Sequence, residues 1–215
     1  MVFTVIASIS ATIWCQEKDE TARFSFSHEP FYMIKNILKT DVDIALGSGN
    51  WLIISPMFAA RENHYEDEYY YYDDYYEDEF NKLLGFGVNV GHRMYGNPID
   101  IPRGIYFMYQ AGWRHYKLDY RDRTWGETEF DGYDAITYDY FDMSTTIDKL
   151  GLDILIGYQF VIKNALMLDL YLGGGIRYSI KEFAGNQKRE FKYNFIDYGY
   201  TGLLPQGGVR LGVIL

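Results

Sequence analysis

The feature that most limits how this chain can fold is an alternation of residue type with period two, repeated in segment after segment. From Leu166 to Ile180 the even positions are Leu166, Leu168, Leu170, Leu172, Gly174, Ile176, Tyr178 and Ile180, and the odd positions are Met167, Asp169, Tyr171, Gly173, Gly175, Arg177 and Ser179. Side chains on a strand point to opposite faces in turn, so this pattern predicts a strand with one greasy face and one polar or tiny face. Just upstream, Leu150, Leu152, Ile154, Ile156, Tyr158 and Phe160 oppose Lys149, Gly151, Asp153, Leu155, Gly157 and Gln159, and the short turn Ile162-Lys163-Asn164 joins the two as a hairpin.

The same split recurs elsewhere. Leu84, Phe86, Val88 and Val90 oppose Gly85, Gly87, Asn89 and Gly91. Ile105, Phe107, Tyr109, Ala111 and Trp113 oppose Tyr106, Met108, Gln110, Gly112 and Arg114, and the chain ends with Val209, Leu211, Val213 and Leu215 against Gly208, Arg210 and Gly212. The pattern predicts strands over 51–62, 83–95, 104–119, 148–161, 165–181 and 207–215, with two more drawn from 21–46, where Val42, Ile44 and Leu46 oppose Asp41, Asp43 and Ala45.

A soluble sandwich alternates too, but its polar face looks at water and is rich in Lys, Glu and Thr. Here that face carries Gly, Arg, Asp, Asn and Gln, which suits the crowded interior of a narrow closed barrel. The expected fold is therefore all-β: an antiparallel up-and-down transmembrane barrel of about eight strands. No run supplies the ~20 apolar residues of a membrane helix, whereas the alternating segments approach the ~9–11 residues of a membrane-crossing strand. Closure also leaves no unpaired strand edge for hydrocarbon to meet. Connections alternate in length: Gly47 to Asn50, Gly96 to Arg103 and Ile162 to Asn164 are short, while 63–81, 121–146 and 182–206 are long and polar. Trp51, Phe86, Trp113, Tyr158, Phe160 and Tyr178 are the expected interfacial girdle.

The apolar, uncharged stretch from Met1 to Cys15 breaks abruptly into Gln16-Glu17-Lys18-Asp19-Glu20. It predicts a signal peptide over 1–16 ahead of a barrel domain over 21–215, with lipid attachment at Cys15 as the rival. The destination is the outer membrane of a bacterial cell, with its lipid and lipopolysaccharide as surroundings. A formal net charge of -10 and a pI near 4.8 exclude a nucleic-acid partner, which needs clustered Lys and Arg.

Gly151 to Tyr178, Arg103 to Phe107 and the closing Gly207 to Leu215 together resemble the small outer-membrane β-barrel proteins, largely of unknown function, of OmpA/OmpX-type architecture. The resemblance spans about residues 30 to 215 and implies the fold rather than an activity. One departure is the final residue, Leu215, where barrel-assembly signals usually carry an aromatic.

Candidate chemistry is sparse. Asp43, Arg93, Arg114, Asp153, Asp169, Arg177 and Arg210 all fall on the predicted lumen face, where charge must be paired, and form an expected ion-pair network that plugs the barrel. The functional alternative is an ion path through a small transport or pore protein. The segment Tyr65 to Phe80 (YEDEYYYYDDYYEDEF) reads as a solvated outside loop. A protein or glycan partner at 63–81 is the binding alternative, and Ca²⁺ a weaker one, since the ligand spacing of a calcium loop is missing. Of four histidines, His115, with Asp119 one strand period on, is the candidate for a membrane-embedded hydrolase or acyltransferase; no nucleophile lies beside it, because Ser144 falls in a loop and Ser179 points inward. No cofactor motif is present, and Gly85, Gly87 and Gly91 read as lumen glycines rather than a nucleotide loop. The sequence thus predicts a non-enzymatic wall that displays acidic, tyrosine-rich loops.

Overall fold

The computed structural model describes residues 24–62, 81–96, 102–130, 133–163, 165–184, 190–192, 194 and 197–215, with backbone alone for 35, 122–130 and 133–140. Its strands are β1 (Phe24–His28), β2 (Ile37–Gly47), β3 (Asn50–Glu62), β4 (Lys82–Tyr95), β5 (Gly104–Phe130), β6 (Tyr133–Ile162), β7 (Leu166–Ala184) and β8 (Gly202–Ile214), with a 3₁₀ helix at Pro30–Lys35. Each strand pairs antiparallel with the next and β1 pairs with β8, so eight strands close into a barrel. The expected signal segment 1–16 and the tyrosine-rich stretch Tyr65 to Phe80 lie outside the described residues.

Alternation sorts the side chains radially. Leu152, Ile154 and Leu172 are 63%, 61% and 68% exposed on the outer face, while Arg93 and Arg210 are 0% exposed inside. The lumen is too narrow for large residues on every strand, so bulk and absence of bulk alternate across it. Tyr106 stands opposite Gly157, Tyr116 opposite Gly85, Tyr171 opposite Gly208 and Arg177 opposite Gly151. In each pair the large side chain lies over the place where the glycine has no Cβ. Two apolar clusters fill the rest. One, around Trp51, Ile53, Met108 and Met167, lies toward the short turns; the other, around Met57, Leu83, Leu118 and Ile147, lies toward the long connections.

The short turns follow from local chemistry. Between β2 and β3 the two-residue turn Ser48-Gly49 has φ of 52° and 75°, the double positive φ that matches strand twist in a tight hairpin. The Asn50 amide donates back to the carbonyls of Gly47 and Ser48 at 3.3 and 3.2 Å.

Three expectations need correction. Residues 121–146 are not a loop: β5 and β6 run on as a two-stranded ribbon from Arg121↔Asp142 to Phe130↔Tyr133. Pairing of β4 stops at Asp119 and pairing of β7 at Ser144, so this ribbon rises past the rim without a third strand. Its Tyr- and Thr-rich sequence favours strand, but that sequence carries no hydrophobic alternation to detect. Trp51 does not join an outer girdle; it is 3% exposed inside the barrel, on the face of Ile53 and Ser55. Finally, β7 extends to Ala184 and β8 starts at Gly202, which shortens the expected 182–206 connection at both ends.

Gly157 gives a direct test of the packing rule. A Cβ there would fall on the Tyr106 ring, and the Tyr106 hydroxyl is held by Asp169 at 2.8 Å, so the ring cannot swing aside freely. Gly157→Ala is expected to destabilise the fold by about 1–3 kcal/mol. The urea unfolding midpoint of the purified protein checks this, and an unchanged midpoint would contradict it.

Candidate functional site: a charged layer inside the barrel

The inward faces of β4, β5 and β8 converge on one carboxylate of β7. Asp169 accepts from the Arg210 guanidinium at 2.8 Å, lies 3.5 Å from Arg93, and accepts from the Tyr106 hydroxyl at 2.8 Å. Arg93 reaches Asp43 at 3.0 Å and also donates to Gln159 Oε1 at 3.0 Å. Arg210 lies 2.9 Å from Asp41 and 3.8 Å from Glu29, and Glu29 in turn holds the Lys39 ammonium at 2.7 Å and takes a hydrogen bond from the Tyr171 hydroxyl. Both guanidiniums stack on rings, Arg93 over Tyr106 at 4.6 Å and Arg210 over Tyr171 at 4.1 Å. Such stacking satisfies the cation faces that carboxylates do not reach.

Of the seven charged residues that the sequence places in the lumen, Asp43, Arg93, Asp169 and Arg210 belong to this cluster. Asp153 and Arg177 form a second one, paired at 2.5 Å, with Gln110 donating to Asp153 at 2.8 Å and Gln206 also donating to it. Arg114 makes no ion pair within 4 Å among the described residues: its main neighbours are the phenols of Tyr32 and Tyr116, with Asp153 of the second cluster acting on it more weakly. Lys39 was recoverable by extending the parity of Asp41 and Asp43 back along β2. Glu29 was not, because it lies between β1 and the 3₁₀ helix, where no period exists.

Chemically, the layer is a set of four carboxylates interleaved with three cations, with 0–3% exposure in each side chain of the Glu29, Lys39, Asp41, Asp43, Arg93, Asp169 and Arg210 cluster. Buried ions need this density of partners, since each one left alone costs several kcal/mol.

His115 sits on the outer wall, not in the lumen. Its Nδ1 lies 3.0 Å from Asp148 Oδ1, which also accepts from the Trp113 indole at 3.1 Å, and its ring packs against Phe86 and Trp113. Asp119 instead pairs with Lys117 at 3.6 Å. Ser179 faces the lumen side and donates to the Tyr200 carbonyl at 2.9 Å. Ser144 lies on β6 opposite Asp119, four positions from the partner of His115, and not in a loop. Among the described residues no group of three or more His, Cys, Asp or Glu could hold a metal ion.

No protein-family model matches the chain, and no curated protein matches its sequence.

The central carboxylate makes a prediction. Asp169→Ala strands two buried guanidiniums and is expected to cost about 3–5 kcal/mol. Asp148→Ala, on the half-exposed outer pair, is expected to cost under about 1 kcal/mol. Unfolding free energies of the two variants in one detergent check this, and equal losses would refute the central role of Asp169.

Proposed function

We propose that the chain is a non-enzymatic outer-membrane barrel of a bacterial cell, of OmpA/OmpX-type architecture, delivered by the signal segment 1–16. Its wall is sealed by the lumen ion pairs, and its long-connection rim serves surface interaction or envelope integrity. The observation that carries this reading is the radial inversion of polarity. In water, a sheet that turns Leu, Ile and Phe outward and Arg and Asp inward would be unfavourable on both faces. Against lipid both placements are favourable.

The dimensions support the same reading. The outward residues Leu150, Leu152, Ile154, Ile156, Tyr158, Phe160 and Ile162 of β6 are all exposed. At ~3.3 Å per residue and a tilt near 40° they span roughly 30 Å normal to the sheet's rim, close to a bilayer core. Trp113 and Tyr178 share one cross-strand row with Leu150, and Tyr158 and Phe160 lie near the opposite end, where interfacial aromatics belong. No helix among the described residues is long and apolar enough to cross a membrane, so strands would have to do so.

The short-turn rim would then face the periplasm and the other rim the outside. That outer rim carries the β5–β6 ribbon and would bear the acidic, tyrosine-rich connection 63–81, the candidate contact for a protein or glycan partner. A conducting pore is the rival, and the density of paired charge in the lumen weighs against it.

Gel migration in dodecyl sulfate tests the barrel reading: the unheated, membrane-extracted protein is expected to run apart from the boiled sample. Co-migration, with the protein in the soluble fraction, would refute it. In planar bilayers the shifted form is expected to give no steady conductance, and ohmic channels would favour the pore.

A further inference from the structure

The ring of strands is complete but its last seam is not. β1 pairs with β8 only from Ser25↔Ile214 to His28↔Leu211, so residues 202–210 of β8 have β7 on one side and no strand on the other. β2 is in the same position beyond Thr40, its last partner on β1 being His28. The 3₁₀ helix Pro30–Lys35 occupies this breach. It turns Tyr32 inward against the lumen cluster and leaves Phe31, Met33 and Ile34 outside at 55%, 56% and 79% exposure. On the facing edge, Pro205 lacks the N–H that a further strand would need. The breach lies within the apolar belt, because Leu203 shares a row with Ile176 and Leu152.

A cavity of about 240 Å³ runs through this seam. Its outer lining includes Phe31, Pro205 and Gly207, and its inner lining includes Arg114, Lys149 and Arg177. Two carboxylate residues also border it. Glu29 is already held by Lys39 and Tyr171, and Asp197 accepts Lys149 through its backbone carbonyl at 2.9 Å. Arg177 is 2% exposed, yet among the described residues only its Nη1 is bonded; Nε and Nη2 have no hydrogen-bond partner there. Arg114 brings a positive charge that makes no ion pair within 4 Å among the described residues; the phenols of Tyr32 and Tyr116 and, more remotely, Asp153 act on it. An apolar mouth in the wall thus leads to two cations, of which Arg177 has donor capacity to spare and Arg114 is met mainly by phenols.

We propose that this pocket binds the head of a single-chain anionic amphiphile that enters sideways from the surrounding lipid. The head, a carboxylate or phosphate monoester, meets Arg114 and Arg177, where charge-assisted hydrogen bonds are strongest. The chain leaves between Phe31 and Pro205 and lies along the outer wall. The volume fits this division, since it falls below the ≈300–1,000 Å³ that usually encloses a whole small ligand. The inference rests on the bilayer reading above, because only a lipid-facing wall makes a sideways mouth useful.

The test is calorimetric titration of the protein in a nonionic detergent, after the unheated gel shift has shown the barrel folded. Dodecanoate is expected to bind saturably at one per chain, while acetate, inorganic phosphate and dodecanol do not. Arg114→Gln, which leaves Asp153 paired with Arg177, is expected to weaken dodecanoate at least tenfold. Gly207→Trp, at the mouth, is expected to weaken it comparably without touching the cations. If acetate or phosphate binds as well as dodecanoate, the ligand is a free anion entering from the rim and the sideways route is overturned. Absence of saturable dodecanoate binding to a barrel that shows the shift overturns the pocket alone. Absence of the shift in the parent protein overturns the bilayer reading and the pocket together.

Discussion

Asp169 is the point on which the interior depends. One carboxylate neutralises guanidiniums from two strands on either side of the barrel, Arg93 from β4 and Arg210 from β8, and those two cations recruit nearly every other charge in the layer. An eight-stranded cylinder has no room for water in quantity, so each charge inside must be answered by protein. The glycines follow from the same constraint. Arg177 and the three large tyrosines can fold across the lumen only where the neighbouring strand presents no Cβ, as Gly151, Gly157, Gly85 and Gly208 do. Hence the sequence spends its bulk and its glycines in register, opposite one another.

Much of this was legible beforehand, because a closed barrel writes itself into the chain one residue at a time. The parity of β4 to β8 follows from Leu84 to Val90, Ile105 to Trp113, Leu150 to Phe160, Leu166 to Ile180 and Val209 to Leu215, and in the structure each of these sets faces outward. The parity rule also held the answer for Trp51, whose odd position puts it with Ile53, but its size and its place beside a turn suggested a girdle instead. Which charges share a cluster was not legible. Parity says that Arg114 faces inward; only the stagger between strands decides that it faces phenols and a cavity while Arg210 faces Asp41 and Asp169.

Two regions escaped for a different reason. Strands inside the wall are marked by the alternation of an apolar outer face and a polar lumen face, and the 3₁₀ helix at the seam, like the β5–β6 ribbon above the rim, does not repeat that period of two. The ribbon is held by cross-strand pairs such as Arg121 with Asp142 at 3.4 Å, which leave no apolar signature. β1 is five residues long, too short for a period to stand out, and its successor Glu29 enters the charged layer from an irregular stretch.

The short seam also bears on how the chain reaches this state. β1 and β8 stand at opposite ends of the sequence, and bringing them together costs the loop-closure entropy of almost the whole chain, which grows with the logarithm of its length. The hairpins from β2 to β8 can each zip locally, but ring closure has only four cross-strand residue pairs to drive it, together with the bonds between Phe24 and Leu215. Closure is then the slow and most reversible step, as non-local pairings are in general. Arg210 shortens the odds against it: from β8 it reaches past β1 to Asp41 on β2 and to Glu29 beyond the end of β1, so ionic contacts fasten the circle where backbone rungs run out.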